Sequence, residues 1–285
     1  MNGLRGFMHS QRLFAFLAFA VLFCAALALA EDSTERSCTS SSIVSVPSRP
    51  TVSNSTDTTQ CGVTEVEYGL GREWSGGADK RDDLSGGLRL GITHNLDFHW
   101  SSSDFLHVAD EDGNRTGFGD TWLGLKYRFL EQTRHTPSAG LFYQAKIPSA
   151  NVALGLGSGQ VDHAISLLIS KDIHPLHLDF NVTPLFAGRP ANLGFDHDLG
   201  FALSAAAPLS KRFGTVIEGY GYTALNSANP AFASTMLGFT WQVQPRLILD
   251  TGLDVGVTSG APQRRVFIGA TYAIANVYSW MRPRR

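Results

Sequence analysis

The sequence predicts an all-β fold, a transmembrane antiparallel up-and-down β-barrel of about 12 strands. Three observations lead there. An export-type leader opens the chain, apolar and polar residues alternate with period two from Val63 onward, and the gaps between alternating runs are long and short in turn. Mean hydropathy is −0.03, too low for a polytopic helical membrane protein. In a barrel, alternate residues face lipid and lumen, so a bland mean is expected. The formal net charge is −2 and charged residues make up 17% of the chain. Nucleic acid is therefore excluded as a partner, because no basic footprint is present. A polybasic patch for an anionic membrane surface is missing as well.

Residues 1–30 read as a signal peptide. Arg5 and Arg12 form a basic start, residues 13–27 are almost wholly apolar, and Ala28-Leu29-Ala30 is a small-x-small cleavage site. An uncleaved anchor is the other reading, since the run is long enough to span. A lipoprotein reading through Cys24 fails because Phe23 stands where a small residue is required.

Residues 31–61 are rich in Ser and Thr and show no periodicity. Such a stretch buries too little apolar surface to offset its ordering entropy, so a flexible periplasmic segment is predicted. It carries Cys38 and Cys61, the two cysteines left after export. An oxidising compartment favours a disulfide between them, closing a loop, over two unrelated thiols.

The barrel is predicted over residues 62–275, followed by a C-terminal extension, 276–285. Successive side chains of a strand point to opposite faces, so an alternating run has one face for each environment. Val66, Tyr68 and Leu70 alternate with Glu65, Glu67 and Gly69. Leu88 and Leu90 alternate with Arg89 and Gly91, and Leu96, Phe98 and Trp100 with Asp97 and His99. Leu123, Leu125, Tyr127 and Phe129 alternate with Gly124, Lys126 and Arg128, and Leu141, Tyr143 and Ile147 with Phe142, Gln144 and Lys146. The pattern returns at 178–182, 237–243 and 247–255. It is weaker at 161–171, 195–206 and 212–223, and residues 264–274 close the set.

Long gaps, such as 75–83, 102–118 and 149–160, read as outer loops, and short ones, such as Gln244-Pro245, as periplasmic turns. A periplasmic β-sandwich or lipocalin-like barrel would also alternate, with its apolar face inward. Tyr68, Trp74, Trp100, Tyr127, Phe129 and Trp241 favour the membrane: they fall near strand ends on the apolar face, as interfacial girdles do. The final strand resembles a terminal assembly signal of outer-membrane proteins, with Gly269 and Tyr272 in matching places but no terminal aromatic residue.

Gly117-Phe118-Gly119-Asp120-Thr121-Trp122-Leu123-Gly124-Leu125-Lys126-Tyr127-Arg128-Phe129 resembles the family known as "meta-pathway of phenol degradation". Further similarities follow in order at Lys146-Ile147-Pro148, Leu156-Gly157-Ser158-Gly159, Asn181, Glu218-Gly219-Tyr220 and 245–250. The resemblance covers roughly residues 63–274. It implies a barrel in the bacterial outer membrane, linked to passage of small, often aromatic, organic compounds. The partners expected are outer-membrane lipid, the export and barrel-assembly machinery and a small organic solute.

If the apolar rows face lipid, the inward rows carry charge. Asp120, Lys126, Arg128, Lys146, Glu218 and Asp250 are the candidate lumen or binding residues. Buried charge is tolerated only when paired or wet. These residues therefore read either as a salt-bridge network filling the barrel or as the lining of a conduit or pocket. Lys126 and Glu218 come first, since they lie in the family-like motifs.

No cofactor or metal is expected, because neither Cys-x-x-Cys nor His-Glu-x-x-His occurs. His99 and Ser101 share a strand face, an arrangement that lets a histidine take a serine proton. A non-transport barrel, structural or a lipid hydrolase using His99 and Ser101, is thus the alternative to a channel. The pair is expected inside the lumen, away from lipid, and no enzymatic activity is predicted.

Overall fold

The computed structural model describes residues 38, 42–77, 79–190, 194–226 and 229–280. The predicted signal peptide lies outside them. The strands are β1 (Val63–Gly76), β2 (Asp79–Gly91), β3 (Leu96–Asp110), β4 (Gly113–Gly117), β5 (Thr121–Leu130), β6 (Ser138–Ile147) and β7 (Asp162–Ile173). They continue as β8 (Leu176–Gly188), β9 (Phe195–Pro208), β10 (Phe213–Tyr222), β11 (Phe232–Gln244), β12 (Leu247–Gly256) and β13 (Arg264–Asn276). All pairings between them are antiparallel, and β2–β3 and β1–β13 contacts close the sheet on itself. β4 pairs only with the outer part of β3, while β5 pairs with its inner part. The pair β4/β5 thus fills one wall position, and the barrel has 12.

The polarity of the wall is inverted relative to a soluble barrel. Leu203, Ile217 and Ile268 are 57%, 58% and 59% exposed on the outside, whereas Glu65, Asp97, Glu218 and Lys126 are 0%, 0%, 1% and 2% exposed within. Such a surface is stable only against lipid. Aromatic groups stand near both rims. Trp241 stacks on Phe213 at the inner end of β10–β11, ring centroids 5.8 Å apart. The Arg264 guanidinium sits 4.9 Å over the Trp74 ring at the outer end of β1 and β13.

Two outer loops expected from the sequence are strand instead. Residues 75–83 are the tips of β1 and β2, joined by a tight turn with Gly76 and Gly77 at φ 124° and 56°. Residues 102–118 complete β3 and form β4. Above the lipid both faces of a strand are wet, so the alternation that reveals a strand disappears. The loop before β7 is retained and holds a 3-10 turn, Val152–Leu154.

β13 runs to Asn276, and a short helix, α1 (Val277–Trp280), follows. The first residues of the predicted extension are therefore anchored. Asn276 donates to the carbonyls of Cys38 and Cys61, and the Tyr278 hydroxyl donates to Ile92 O at 3.0 Å. Burial there pushes the Tyr278 phenol up.

Candidate functional site

The described part of the Ser/Thr-rich segment, residues 42–61, is not a free leader. Residues 42–61 lie inside the barrel as a hoop that runs once around the inner wall. Cys38 and Cys61 are joined by a disulfide, which closes the hoop at the periplasmic mouth. The segment has little apolar surface to bury. It is held by what a polar segment does possess, its backbone N–H and C=O groups and hydroxyls, each needing a partner once out of water.

The wall supplies those partners strand by strand. On β1, Glu65 accepts Val46 N at 2.8 Å and Glu67 accepts Arg49 N at 2.6 Å. On β2, Arg89 reaches Val46 O at 2.6 Å, Ser48 Oγ at 2.7 Å and the Glu65 carboxylate at 2.7 Å. The Arg49 side chain crosses the closing seam. It lies against Gly69 and Gly269, where an added Cβ would come within 2.4 and 2.3 Å of it, and it pairs with Asp250 of β12 at 2.9 Å. Pro50 meets Gly238 of β11. On β10, Glu218 accepts Val52 N at 2.8 Å and Ser53 N at 2.6 Å.

The circuit continues down the remaining strands. Ser53 bonds Ser204 of β9 at 3.0 Å. Asn54 and Asn181 of β8 exchange two bonds, at 2.6 and 2.9 Å. Thr56 meets Ser170 of β7 and Ser138 of β6. Lys126 of β5 donates to the carbonyls of Ser55 and Asp57 and stands 3.7 Å from Asp97. Asp97 of β3 accepts Thr59 N at 2.8 Å.

The six candidate lumen residues divide in two. Lys126, Arg128, Glu218 and Asp250 hold the hoop, Arg128 through Asp57 at 3.4 Å. Asp120 and Lys146 hold an outer loop instead. Lys146 contacts Asp162, Asp120 (3.6 Å) and Ser158 (2.9 Å), and Asp120 accepts Ala150 N at 3.0 Å. Lys126 and Glu218 are not paired with each other; both bind the hoop. Sequence reasoning missed Ser204, Ser170 and Ser138, because a small hydroxyl on an inward row carries no charge signal, and Arg49, because it lies in the segment read as flexible.

His99 and Ser101 do face the lumen. His99 lies 3.4 Å from Asp97 and packs on Phe142, ring centroids 4.7 Å apart. No hydrogen bond joins His99 to Ser101 among the described residues. At the mouth, Cys38 Sγ is 3.7 Å from His94 Nε2, but both sulfurs of this Cys38–Cys61–His94 group are committed to the disulfide.

The hoop divides the lumen. On its periplasmic side is a cavity of about 510 Å³, bounded by residues 45–51 of the hoop and by Ser204, Ala206 and Val216. On its outer side is a cavity of about 350 Å³, bounded by Val52, Asn54, Trp122, Gln144, Asn181 and Tyr222. Successive inward-facing positions of β9, Ala202 and Ser204, belong to the outer and the inner cavity. The partition between them is the hoop tip, residues 52–54, held by Glu218, Ser204 and Asn181.

The family profile "Putative MetA-pathway of phenol degradation" matches residues 48–274. The chain belongs to this family. The matched span of the phenol-degradation family begins at Ser48, so it takes in most of the hoop together with the barrel. An outer membrane channel from Pseudomonas putida F1 is similar in fold, with TM-score 0.63 and 13% identity over 77% of this chain and 98% of that chain. The NanC porin is similar with TM-score 0.52 and 11% identity, over 74% of this chain and 100% of that chain. No curated protein sequence matches. This member of the phenol-degradation family has the closed, lipid-facing barrel of the bacterial outer membrane.

Proposed function

We propose that the protein is an outer-membrane channel or uptake barrel for small organic compounds, with the hoop tip as its gate. The observation that carries this reading is the arrangement of two cavities on either side of a thin polar partition. A barrel whose role was only structural would fill its lumen with packed side chains. Here the partition at its thinnest is three hoop residues held by hydrogen bonds, which exchange readily with water. The family, named for phenol degradation, and the channel and porin that share the fold agree with this reading.

Planar-bilayer recording of the purified protein tests it. Discrete conductance, or solute flux into proteoliposomes, is expected, and membranes that stay silent with wild-type and tip-released variants alike remove the channel reading. Hydrolysis forms no part of the proposal. Ser101 opens into the outer cavity without a hydrogen bond to His99, so turnover of a phospholipid that disappears in Ser101→Ala would count against it.

A further inference from the structure

We propose that the outer ends of β13, β1 and β2 form, on the lipid-facing side of the barrel, a binding site for a phosphorylated, acylated glycolipid of the outer leaflet, of the lipid A type. The site does not depend on the channel reading; it needs only the barrel's place in the outer membrane.

Strand register lays the site out in rows. Residues two apart share a face of a strand, so the outward row of β1 runs from Leu70 through Arg72 to Trp74. The uppermost row across the strands is Arg264 of β13, Trp74 of β1 and Lys80 of β2. Below it lie Val266, Arg72, Asp82 and His107 of β3. The next row is apolar: Ile268, Leu70, Leu84 and Phe105. Leu70, Val266 and Ile268 are exposed while Phe267 between the last two is buried, so these rows face outward. A strand crosses the hydrocarbon in about 9–11 residues, and β1 reaches Trp74 about that far from its periplasmic start at Val63. Tryptophan marks the membrane–water boundary. The two upper rows therefore stand at headgroup level and the apolar row at the level of the acyl chains.

The upper rows carry an excess of positive charge. Arg72, Lys80 and Arg264 face one acid, Asp82, whose carboxylate is taken by Arg72 at 2.7 Å. Asp104, deeper on β3, is taken by the hydroxyls of Tyr68 (2.6 Å) and Ser102. Lys80 and Arg264 form no salt bridge among the described residues. The Trp74 ring fixes the Arg264 guanidinium, 4.9 Å above it, and leaves the N–H fork available for a phosphate. The remaining strand cations of the outer half, Arg81, Arg115, Lys146 and Arg265, fall on the alternate, lumenal rows. Outward positive charge is thus confined to three adjacent strands.

Directly beneath these cations is a groove of about 470 Å³, bounded by Leu70, Arg72, Phe105, Val266 and Ile268. One molecule can fill both parts, an acyl chain in the groove and phosphate on the cations above it. Two strand spacings separate Arg264 from Lys80, about 10 Å. That width is matched by a disaccharide bearing two phosphates rather than by a single phosphodiester. Clustered Lys and Arg at a membrane surface recognise anionic headgroups, and Arg binds phosphate in a bidentate manner.

The test is native mass spectrometry of the full chain, folded in detergent and titrated with bis-phosphorylated lipid A, the same lipid stripped of phosphate, and phosphatidylglycerol. Heat-modifiable gel mobility confirms that each variant is folded. Saturable binding of one lipid A per barrel is expected, weakened about thirtyfold when Lys80→Gln and Arg264→Gln are combined. The phosphate-free lipid should bind wild type and this variant alike, and phosphatidylglycerol should bind wild type at least about tenfold more weakly than lipid A. Lys211→Gln with Arg212→Gln removes the same charge from the periplasmic end and should leave lipid A affinity within about twofold of wild type. Unchanged lipid A affinity in the Lys80→Gln, Arg264→Gln variant, equal binding of phosphatidylglycerol, or an equal loss in the periplasmic variant overturns the site and leaves the channel reading as it stands.

Discussion

Removing the Glu218 carboxylate should release the hoop tip. In Glu218→Ala, Val52 N and Ser53 N lose acceptors at 2.8 and 2.6 Å. Hydrogen bonds to a charged group contribute about 1.5–3 kcal/mol each, so the pair holds the tip by at least about 3 kcal/mol. The remaining ties are the Ser53–Ser204 hydroxyl pair and two Asn54–Asn181 bonds. As neutral bonds they contribute about 1 kcal/mol apiece. Opposing them is the backbone entropy of residues 52–54, about 1–2 kcal/mol per residue. In the wild-type chain the tip is therefore seated by roughly 3 kcal/mol and free less than about 1% of the time. Without Glu218 the two sides balance or tip the other way, so the free fraction rises about a hundredfold. Single-channel recording reads this directly: rare brief openings should become the dominant state. An open fraction within about threefold of wild type, in a variant that still folds and keeps its disulfide, would falsify the assignment of the tip as gate.

Three further outcomes follow from the same contacts. Cys38→Ser removes a cross-link spanning a sequence separation of 23, a loop closure that contributes about 3 kcal/mol. Amide exchange over residues 42–60 should accelerate by about a hundredfold while the strands stay protected, and equal rates in both proteins would show that the disulfide does not hold the hoop. Gly269→Leu should act like Arg49→Ala and raise conductance, because both remove the guanidinium from its place beside Asp250; normal conductance in Gly269→Leu would contradict the two-glycine seat. Lys126→Met leaves Asp97 buried with its cation gone and should destabilise the barrel by about 3–5 kcal/mol in urea unfolding. Asp97→Asn in the same chain should recover most of the loss, and a single-variant cost below about 1 kcal/mol would show that the pair is not structurally important.

The wall was legible in the sequence because lipid on one side and polar groups on the other impose period two on every spanning stretch. Val66, Tyr68 and Leu70 against Glu65 and Glu67 show it plainly. The outer ends of β1 to β4 were not legible, since wet surfaces on both faces leave Ser103, Asp104 and Lys80 with no pattern to obey. The hoop was missed for a different reason. Its order comes from backbone groups, which are the same in every sequence, and from partners far along the chain, such as Ser53 with Glu218. A trace of it was nonetheless present. The inward rows hold more acids than bases, and Glu218 has no basic partner among the described residues of the wall. An unmatched buried acid implies donors from elsewhere, and the Ser/Thr-rich segment was one of the two stretches of the exported chain read as lying outside the wall. The six candidate residues face inward, and the contacts that Lys126, Arg128, Glu218 and Asp250 make depend on that segment.

The hoop touches all 12 wall positions, from Glu65 and Glu67 on β1 to Gly269 on β13. A strand that slipped by a single residue would turn its inward group out to lipid. Ser170 would give way to Ile169, or Glu218 to Ile217, and the hoop would lose a tie at that point. The circuit crosses β1 and β13 as well, so it cannot be completed before the barrel shuts. Seating the hoop thus inspects the alignment of all the strands at once, after closure, and a misaligned barrel would remain with its periplasmic segment unseated and exposed to proteolysis.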